Sequence, residues 1–162
     1  MAYPAPGFES KLCAADEFAA RASALPRPLV FTNGCFDLLH RGHVTCLAQA
    51  RALGAALIVG VNSDASVKRQ GKGGERPINN EADRMAVLAA LESVSLVVIF
   101  EEDTPLKLIL TAHPDVLVKG GDWQPENIVG SKEVQAWGGS VSSIPFLHQR
   151  STTALLRKIR AL

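Results

Sequence analysis

The chain has 162 residues, 17 Lys+Arg against 16 Asp+Glu for a formal net charge of +1, with 47% hydrophobic and 20% charged residues. That length suits one domain with a sizeable core, and so even a charge balance excludes the broad basic footprint of a nucleic-acid or membrane-surface binder. No run approaches the roughly 18–20 apolar residues of a membrane span, and the opening MAYPAPGFESKL lacks a signal-peptide core. A cytoplasmic protein with neither nucleic-acid nor membrane partner is therefore expected.

Residues 1–28 read as an N-terminal extension: a Pro-rich tip, one amphipathic helix over about 9–24, then LPRP as a stop. From 29 to 162, apolar runs recur at LVF (29–31), ALIVGV (56–61), SLVVIF (95–100), DVLVK (115–119) and GSVSSIP (139–145). Between them lie HVTCLAQARALG, NEADRMAVLAALES, TPLKLILTAH and SKEVQAWGG, each with apolar residues near helical spacing. Continuous apolar runs suit parallel strands covered on both faces. The repeated β-α pattern predicts an α/β fold, a doubly wound parallel sheet of five strands with helices on both faces. Ligands of such sheets bind beyond the carboxyl ends of the strands, and four of those loops carry unusual residues.

The first is TNGCFDLLHRGH (32–43). Asn33-Gly34 turns the chain, Gly42 permits close backbone approach, and a helix starting near His43 exposes N–H groups suited to phosphate. The helix dipole disfavours imidazolium there, so His40 and His43 are expected neutral when the site is empty and protonated when a phosphate arrives. The second loop, 62–84, holds Lys68, Arg69, Lys72, Arg76 and Arg84 among Gly71, Gly73 and Gly74, the composition of a lid over a polyanion. Asn80 and Asp83 have the spacing of a helix start, which puts Arg84 in a first turn, where a cation is out of place unless it faces an anion.

The third loop, VKGGDW (118–123), offers Lys119, two glycines on which a flat ligand can rest, Asp122 as an acceptor and Trp123 as a stacking face. The fourth, RSTTALLRKIR (150–160), opens a helix at Ser151-Thr152-Thr153. Alanine at 154 denies it a capping box and leaves hydroxyl and N–H groups for a second anion. Cys13, Cys35 and Cys46 form no CxxC pair and are odd in number, which reads as small buried hydrophobes rather than disulfides or zinc ligands. No metal ligand set is expected from the protein itself.

His40-Arg41-Gly42-His43 behind an apolar strand, with Ser151-Thr152-Thr153 opening the last helix, resembles the HxGH and STT-type signatures of the cytidylyltransferase-like nucleotidyltransferase superfamily. Within it, FTNGCFDLLHRGH, VGVNSDASVKR, RPINNEADRMAVLAAL, EDTPLKLI and DVLVKGGDW resemble the D-glycero-β-D-manno-heptose 1-phosphate adenylyltransferases of lipopolysaccharide precursor synthesis. The resemblance runs from Leu29 to about Arg160. It implies a Rossmann-like nucleotidyltransferase domain over 29–162 that uses Mg²⁺ and joins ATP to a heptose 1-phosphate, giving ADP-heptose and pyrophosphate.

By the same resemblance His40, His43, Lys68 and Arg84 carry catalysis. Thr32, Asn33, Gly34, Phe36 and Gly42 meet ATP, as do Lys119, Gly121, Asp122, Trp123 and the Ser151–Thr153 helix start. Asp37, Asn62, Ser63, Asp64, Lys72 and Arg76 are implied on the sugar phosphate side, with Asp37 equally able to brace the loop. A homo-oligomer is also implied. Some relatives carry this domain behind a sugar kinase; 162 residues hold none, so heptose phosphorylation is expected from another protein. The alternative is a cytidylyltransferase for glycerol 3-phosphate or another alcohol phosphate. That branch places an arginine several residues before its STT motif, where residues 146–149 here read Phe-Leu-His-Gln and the nearest cation is Arg150.

Overall fold

The computed structural model describes residues 3–71, 75–148 and 151–161. After a single 3-10 turn (Gly7–Lys11) the chain runs β1 (Leu12–Cys13), α1 (Phe18–Ser23), β2 (Leu29–Gly34), α2 (Arg41–Arg51), β3 (Ala56–Asn62) and α3 (Asp64–Arg69). It continues α4 (Glu81–Ala89), β4 (Leu96–Phe100), α5 (Leu106–Ala112), β5 (Val116–Gly120), α6 (Ser131–Ala136), β6 (Ser140–Ile144) and α7 (Thr152–Arg160). Every strand pair is parallel, in the order β1-β4-β3-β2-β5-β6.

Side-chain alternation explains why the sheet is covered twice. Leu29, Phe31, Ile58, Val98 and Leu117 point to one face, where Phe18 and Ala22 of α1, Ile109 and Ala112 of α5, and Val134 of α6 cover them. Val30, Leu57, Val59, Val61, Val97 and Val118 point to the other, under Leu47 and Ala50 of α2 and Leu88 and Ala89 of α4. All seven residues of β3 are buried, as the continuous run ALIVGVN requires.

Among the described residues the sheet has six strands rather than the expected five, and the expected helix over 9–24 is broken. Leu12 and Cys13 pair in parallel with Val97 and Val98 on the outer edge of β4, and the Arg21 guanidinium donates to the carbonyls of Leu12 and Ser10. Covering an open strand edge outweighs local helix propensity here. The remaining helix is short, and its Phe18 and Ala22, one turn apart, enter the same core as Leu29 and Phe31.

Among the described residues four helices open on a side-chain cap that accepts from the amide three residues on. His40 Nδ1 accepts from His43 N at 3.4 Å, Ser63 Oγ from Ser66 N at 3.0 Å, Asn80 Oδ1 from Asp83 N at 2.9 Å and Ser151 Oγ from Ala154 N at 3.1 Å. The lid expected over 62–84 lies in part outside the described residues, at 72–74. Within that stretch residues 64–69 form α3 and α4 begins at Glu81.

Candidate active site

The sheet order reverses between β2 and β5: β3 and β4 lie on one side of β2, β5 and β6 on the other. Crossovers that diverge there leave a crevice at the carboxyl ends of those two strands. Three adjoining cavities of about 280, 260 and 200 Å³ occupy it, and Cys35, just after β2, lines all of them.

The first cavity lies between the starts of α2 and α7, lined by Phe36, Asp37, His40, His43, Arg76, Phe146 and Ser151 to Thr153. Helix α2 begins at Arg41 with His40 as its cap, two residues before the expected start. Because His40 Nδ1 accepts the His43 amide, a neutral His40 carries its proton on Nε2, the nitrogen able to donate. The two imidazoles stack, with centroids 3.8 Å apart and planes 18° from parallel. Gly42 is needed for this stack: a Cβ there would sit 3.0 Å from the His40 ring and 3.3 Å from the His148 carbonyl oxygen. The space expected for a ligand beside Gly42 is filled by the protein's own groups.

Burial lowers the pKa of both histidines. For His43 burial is the larger cause and the neighbouring His40 the second, and together they bring it to about 4 against a weak opposing pull from the Leu38 carbonyl. That pull does not amount to a hydrogen bond, since His43 Nδ1 is buried without a partner of bonding geometry. Desolvation likewise lowers His40. Both rings are neutral at pH 7, in agreement with the expectation from the helix start. The second helix start is tied to the first, because the buried Thr152 hydroxyl donates to the Leu38 carbonyl at 3.4 Å.

The cations of the second loop go elsewhere than expected. Arg84 is 2% exposed and faces no cavity of the cleft. Its Nε donates to Asn79 O at 3.0 Å, Nη1 to Cys35 O at 2.6 Å, and Nη2 to Asn62 O at 2.8 Å and Asp64 Oδ1 at 2.7 Å. Arg76 reaches the first cavity but pairs through Nε with Asp37 Oδ2 at 2.8 Å, the two side chains being 12% and 0% exposed. The other Asp37 oxygen accepts from the amides of Ile78 and Asn79, and its carbonyl from Asn79 Nδ2. Arg69 is bound to Asp103 and the Glu101 carbonyl. Lys68 is exposed on α3 and lines none of the three cavities, while Lys72 and Arg150 lie outside the described residues.

The middle cavity is lined by Thr32, Asn33, Gly34, Phe36, His43, Cys46, Leu47, Lys119, Gly120, Trp123 and Phe146. Phe36 adopts a left-handed conformation at φ 48°, a strained state for a bulky residue that its surroundings must hold; its ring meets His43 edge-on at 5.4 Å. Lys119 Nζ donates to Asn33 Oδ1 at 3.3 Å and lies 5.9 Å from the Trp123 ring centroid. Gly121 has φ 112°, open only to glycine, and the Trp123 amide donates to Ser143 Oγ, which itself donates to the Gly121 carbonyl. Asp122 is exposed.

The third cavity is polar: Asn33, Asn62, Gln70, Asp103, Thr104, Lys119 and Asn127 line it with Trp123, Ile128 and Val129. Asn62 enters from the end of β3. Ser63 and Asp64, expected beside it, turn away: Ser63 caps α3 and Asp64 holds Arg84 while its amide donates to Glu81 Oε2. Gln70, Asp103, Thr104 and Asn127 are additions that sequence reasoning missed. The loop after β4, with EDT in it, was the available signal, since it too ends at the carboxyl edge. Cys35 is half-buried at the centre of the cleft rather than packed in the core like Cys13 and Cys46, and Phe146 was overlooked beside the missing arginine.

Among the described residues no three His, Cys, Asp or Glu side chains come together as ligands, and Asp37, the carboxylate of the first cavity, has its oxygens engaged. A hard cation here finds no protein cage.

The family model described as "Cytidylyltransferase-like" matches residues 31–154. The chain is 56% identical over 155 residues to a protein of Bordetella bronchiseptica named D-beta-D-heptose 1-phosphate adenylyltransferase, covering 94% of this chain and 96% of that one. It is 52% identical over 158 residues to the bifunctional protein HldE of Geotalea uraniireducens, covering 96% of this chain and 32% of that one. The chain thus spans about a third of such bifunctional relatives. Among solved structures, the lipopolysaccharide core biosynthesis protein from Thermoplasma volcanium GSS1 superposes with a TM-score of 0.60 at 26% identity, over 75% of this chain and 98% of that one. A pantoate-beta-alanine ligase from Francisella tularensis superposes at 0.61 with 15% identity, over 88% and 68%, a likeness of fold alone. No helix is long and apolar enough to cross a membrane among the described residues.

Proposed function

The chain belongs to the cytidylyltransferase-like family, and on that premise we propose that it transfers AMP from ATP to D-glycero-β-D-manno-heptose 1-phosphate, giving ADP-heptose and pyrophosphate for lipopolysaccharide precursor synthesis. The observation that carries the reading is the first cavity, where two helix N-termini and two neutral imidazoles converge on one anion-sized space. The similarity to the Bordetella protein, over nearly the whole of both chains, supports the heptose substrate.

The acceptor phosphate is already an anion at neutral pH. Its oxygen attacks the α-phosphorus while the bond from that phosphorus to the α,β-bridging oxygen breaks, and pyrophosphate leaves on that oxygen with the electron pair. No strong general base is needed; the demands are in-line positioning and relief of charge repulsion. In this reading the triphosphate takes the first cavity, with His40 Nε2–H, His43 and the Ser151–Thr153 helix start donating to it. The nucleoside takes the middle cavity beside Thr32, Asn33, Gly34, Phe36, Lys119, Gly121 and Trp123. The acceptor takes the third, whose carboxamides, carboxylate and hydroxyl match a polyol that both donates and accepts.

Arg84, Asp37, Arg76, Ser63 and Asp64 then act as braces that hold the loops at the required spacing. Lys68 and Lys72 remain candidates for the acceptor's phosphate. Mg²⁺ would come with ATP as part of the substrate and would supply charge neutralisation at the triphosphate, with no described residue assigned to hold it. A cytoplasmic, homo-oligomeric enzyme completes the proposal.

Pyrophosphate release with MgATP and heptose 1-phosphate tests the reading. His43→Ala is expected to lose about 10²–10³-fold in kcat, the range for one transition-state donor, with its melting transition retained. Wild-type turnover in that variant would remove His43 from the chemistry, and a preference for CTP would favour the cytidylyltransferase alternative.

A further inference from the structure

Two half-exposed aromatic rings flank one glycine in the middle cavity. A Cβ built on Gly121 would lie 3.2 Å from Trp123 Nε1 and 3.7 Å from Phe146 Cε2, and one on Gly120 would lie 3.0 Å from Phe146 Cζ. The Gly120–Gly121 backbone is therefore the floor between the rings, and the missing side chains are what let them approach it. Phe146 is 41% exposed and Trp123 48% exposed, although both line the cavity. Orientation of the phenyl ring is set from two sides, by the bare Gly120 Cα and by the His43 imidazole, which it meets edge-on at 6.3 Å and 84°.

We propose that Phe146 is the second wall of a purine clamp, opposing Trp123 across the Gly120–Gly121 floor, and that it sets the preference for adenine over a pyrimidine. The inference rests on the reading of ATP as donor. Phe36, Cys46 and Leu47 give the rest of the cavity an apolar lining, into which a flat π-system fits better than a charged group. Phe146 also lines the triphosphate cavity, so a base stacked on it is already next to the phosphates. Stacking scales with overlapping ring area, and a purine presents two fused rings where a pyrimidine presents one.

The test measures equilibrium dissociation constants of ATP, CTP and inorganic tripolyphosphate for wild type, Phe146→Ala, Phe146→Leu and Phe146→Tyr, by calorimetry and by Trp123 fluorescence. Phe146→Ala is expected to weaken ATP about 5- to 150-fold, the equivalent of about 1–3 kcal/mol per stacked base. Tripolyphosphate should stay within about twofold, and the ATP-over-CTP preference should shrink. Tyrosine should restore ATP binding. Leucine, which keeps the packing on Gly120 without an aromatic face, should fall between and serves as the folded control. Unchanged ATP binding in the alanine and leucine variants would overturn the clamp, and so would equal losses for ATP and tripolyphosphate, which would put Phe146 at the phosphates through His43. Failure of the wild type to bind ATP would instead sink the donor reading itself, and the clamp with it.

Discussion

Replacing Arg84 separates a brace from a phosphate ligand. Its guanidinium satisfies the carbonyls of Cys35, Asn62 and Asn79 and one oxygen of Asp64. A buried acceptor left without a donor costs about 1–3 kcal/mol, which here applies to Asn62 alone, since the bonds to Cys35 and Asn79 are only part-buried and water can replace the donor; removing one partner of a buried pair costs about 3–5 kcal/mol. The Asp64 side chain is 31% exposed, so water re-solvates it and the ionic part falls to the low end. Arg84→Ala is therefore expected to lose about 3–5 kcal/mol, a large share of the roughly 5–15 kcal/mol typical of a domain, and to lower Tm by about 6–20 °C. Arg84→Lys keeps the charge but loses the planar fork; an ammonium reaches one or two of the four acceptors, so about half the loss should remain. Urea unfolding at 25 °C gives the stabilities, and initial rates against each substrate give the kinetics. A lysine variant as stable as wild type, with KM for the sugar phosphate raised tenfold or more, would refute the brace and return Arg84 to the ligand.

Three further perturbations follow from the same contacts. His43 has its folded pKa depressed to about 4 from an ordinary value near 6.5, so below pH 6.5 the unfolded chain takes up a proton that the folded chain refuses. Stability from this group is full above about pH 6.5 and declines as pH falls toward 4; urea midpoints from pH 7 to 5 should fall, and less so in His43→Gln. ATP should reverse the shift, and calorimetry near pH 6.5 in buffers of different ionisation enthalpy is expected to show net proton uptake on binding. Asp37→Ala strips Arg76 and the amides of Ile78 and Asn79 of their acceptor and should cost about 3 kcal/mol by thermal melting, with faster hydrogen exchange at Ile78 and Asn79. Gly42→Ala forces a Cβ to 3.0 Å from the His40 ring; kcat should drop tenfold or more while Tm moves by a few degrees, and unchanged kcat would mean the histidine stack is dispensable.

The parts of the site legible in the sequence are those written in local spacing. HRGH and RSTT each encode a helix start, and both histidines, Ser151 and Thr152 do line one cavity. Asn80 with Asp83 encoded another start, which forms as expected. The destinations of the cations were not legible, because their partners are 39 residues away for Arg76, 20 for Arg84 and 34 for Arg69. A rule of first-turn electrostatics put Arg84 against an anion, and it does meet one, but the anion is Asp64 of the same chain. The edge strand β1 was hidden for a similar reason: Leu12 and Cys13 become a strand only because β4 offers an open edge 85 residues on.

The neutralised arginines change how the cleft must work. If Arg69, Arg76 and Arg84 were free, they would hold a standing positive field, and pyrophosphate would leave it slowly. With each bound to a carboxylate of the chain, the groups that the described residues turn to the triphosphate cavity, apart from the Asp37–Arg76 pair, are helix amides, hydroxyls, aromatic rings and imidazoles that burial keeps uncharged. On the proposed reading the positive charge is induced by the ligand: the triphosphate raises the imidazole pKa, His43 takes up a proton, and the charge is present while the transition state needs it. Departure of pyrophosphate returns the rings to their buried, neutral state and weakens the hold on the product. The coupling requires both histidines to sit together in a desolvated stack, which Gly42, by lacking a side chain, makes room for.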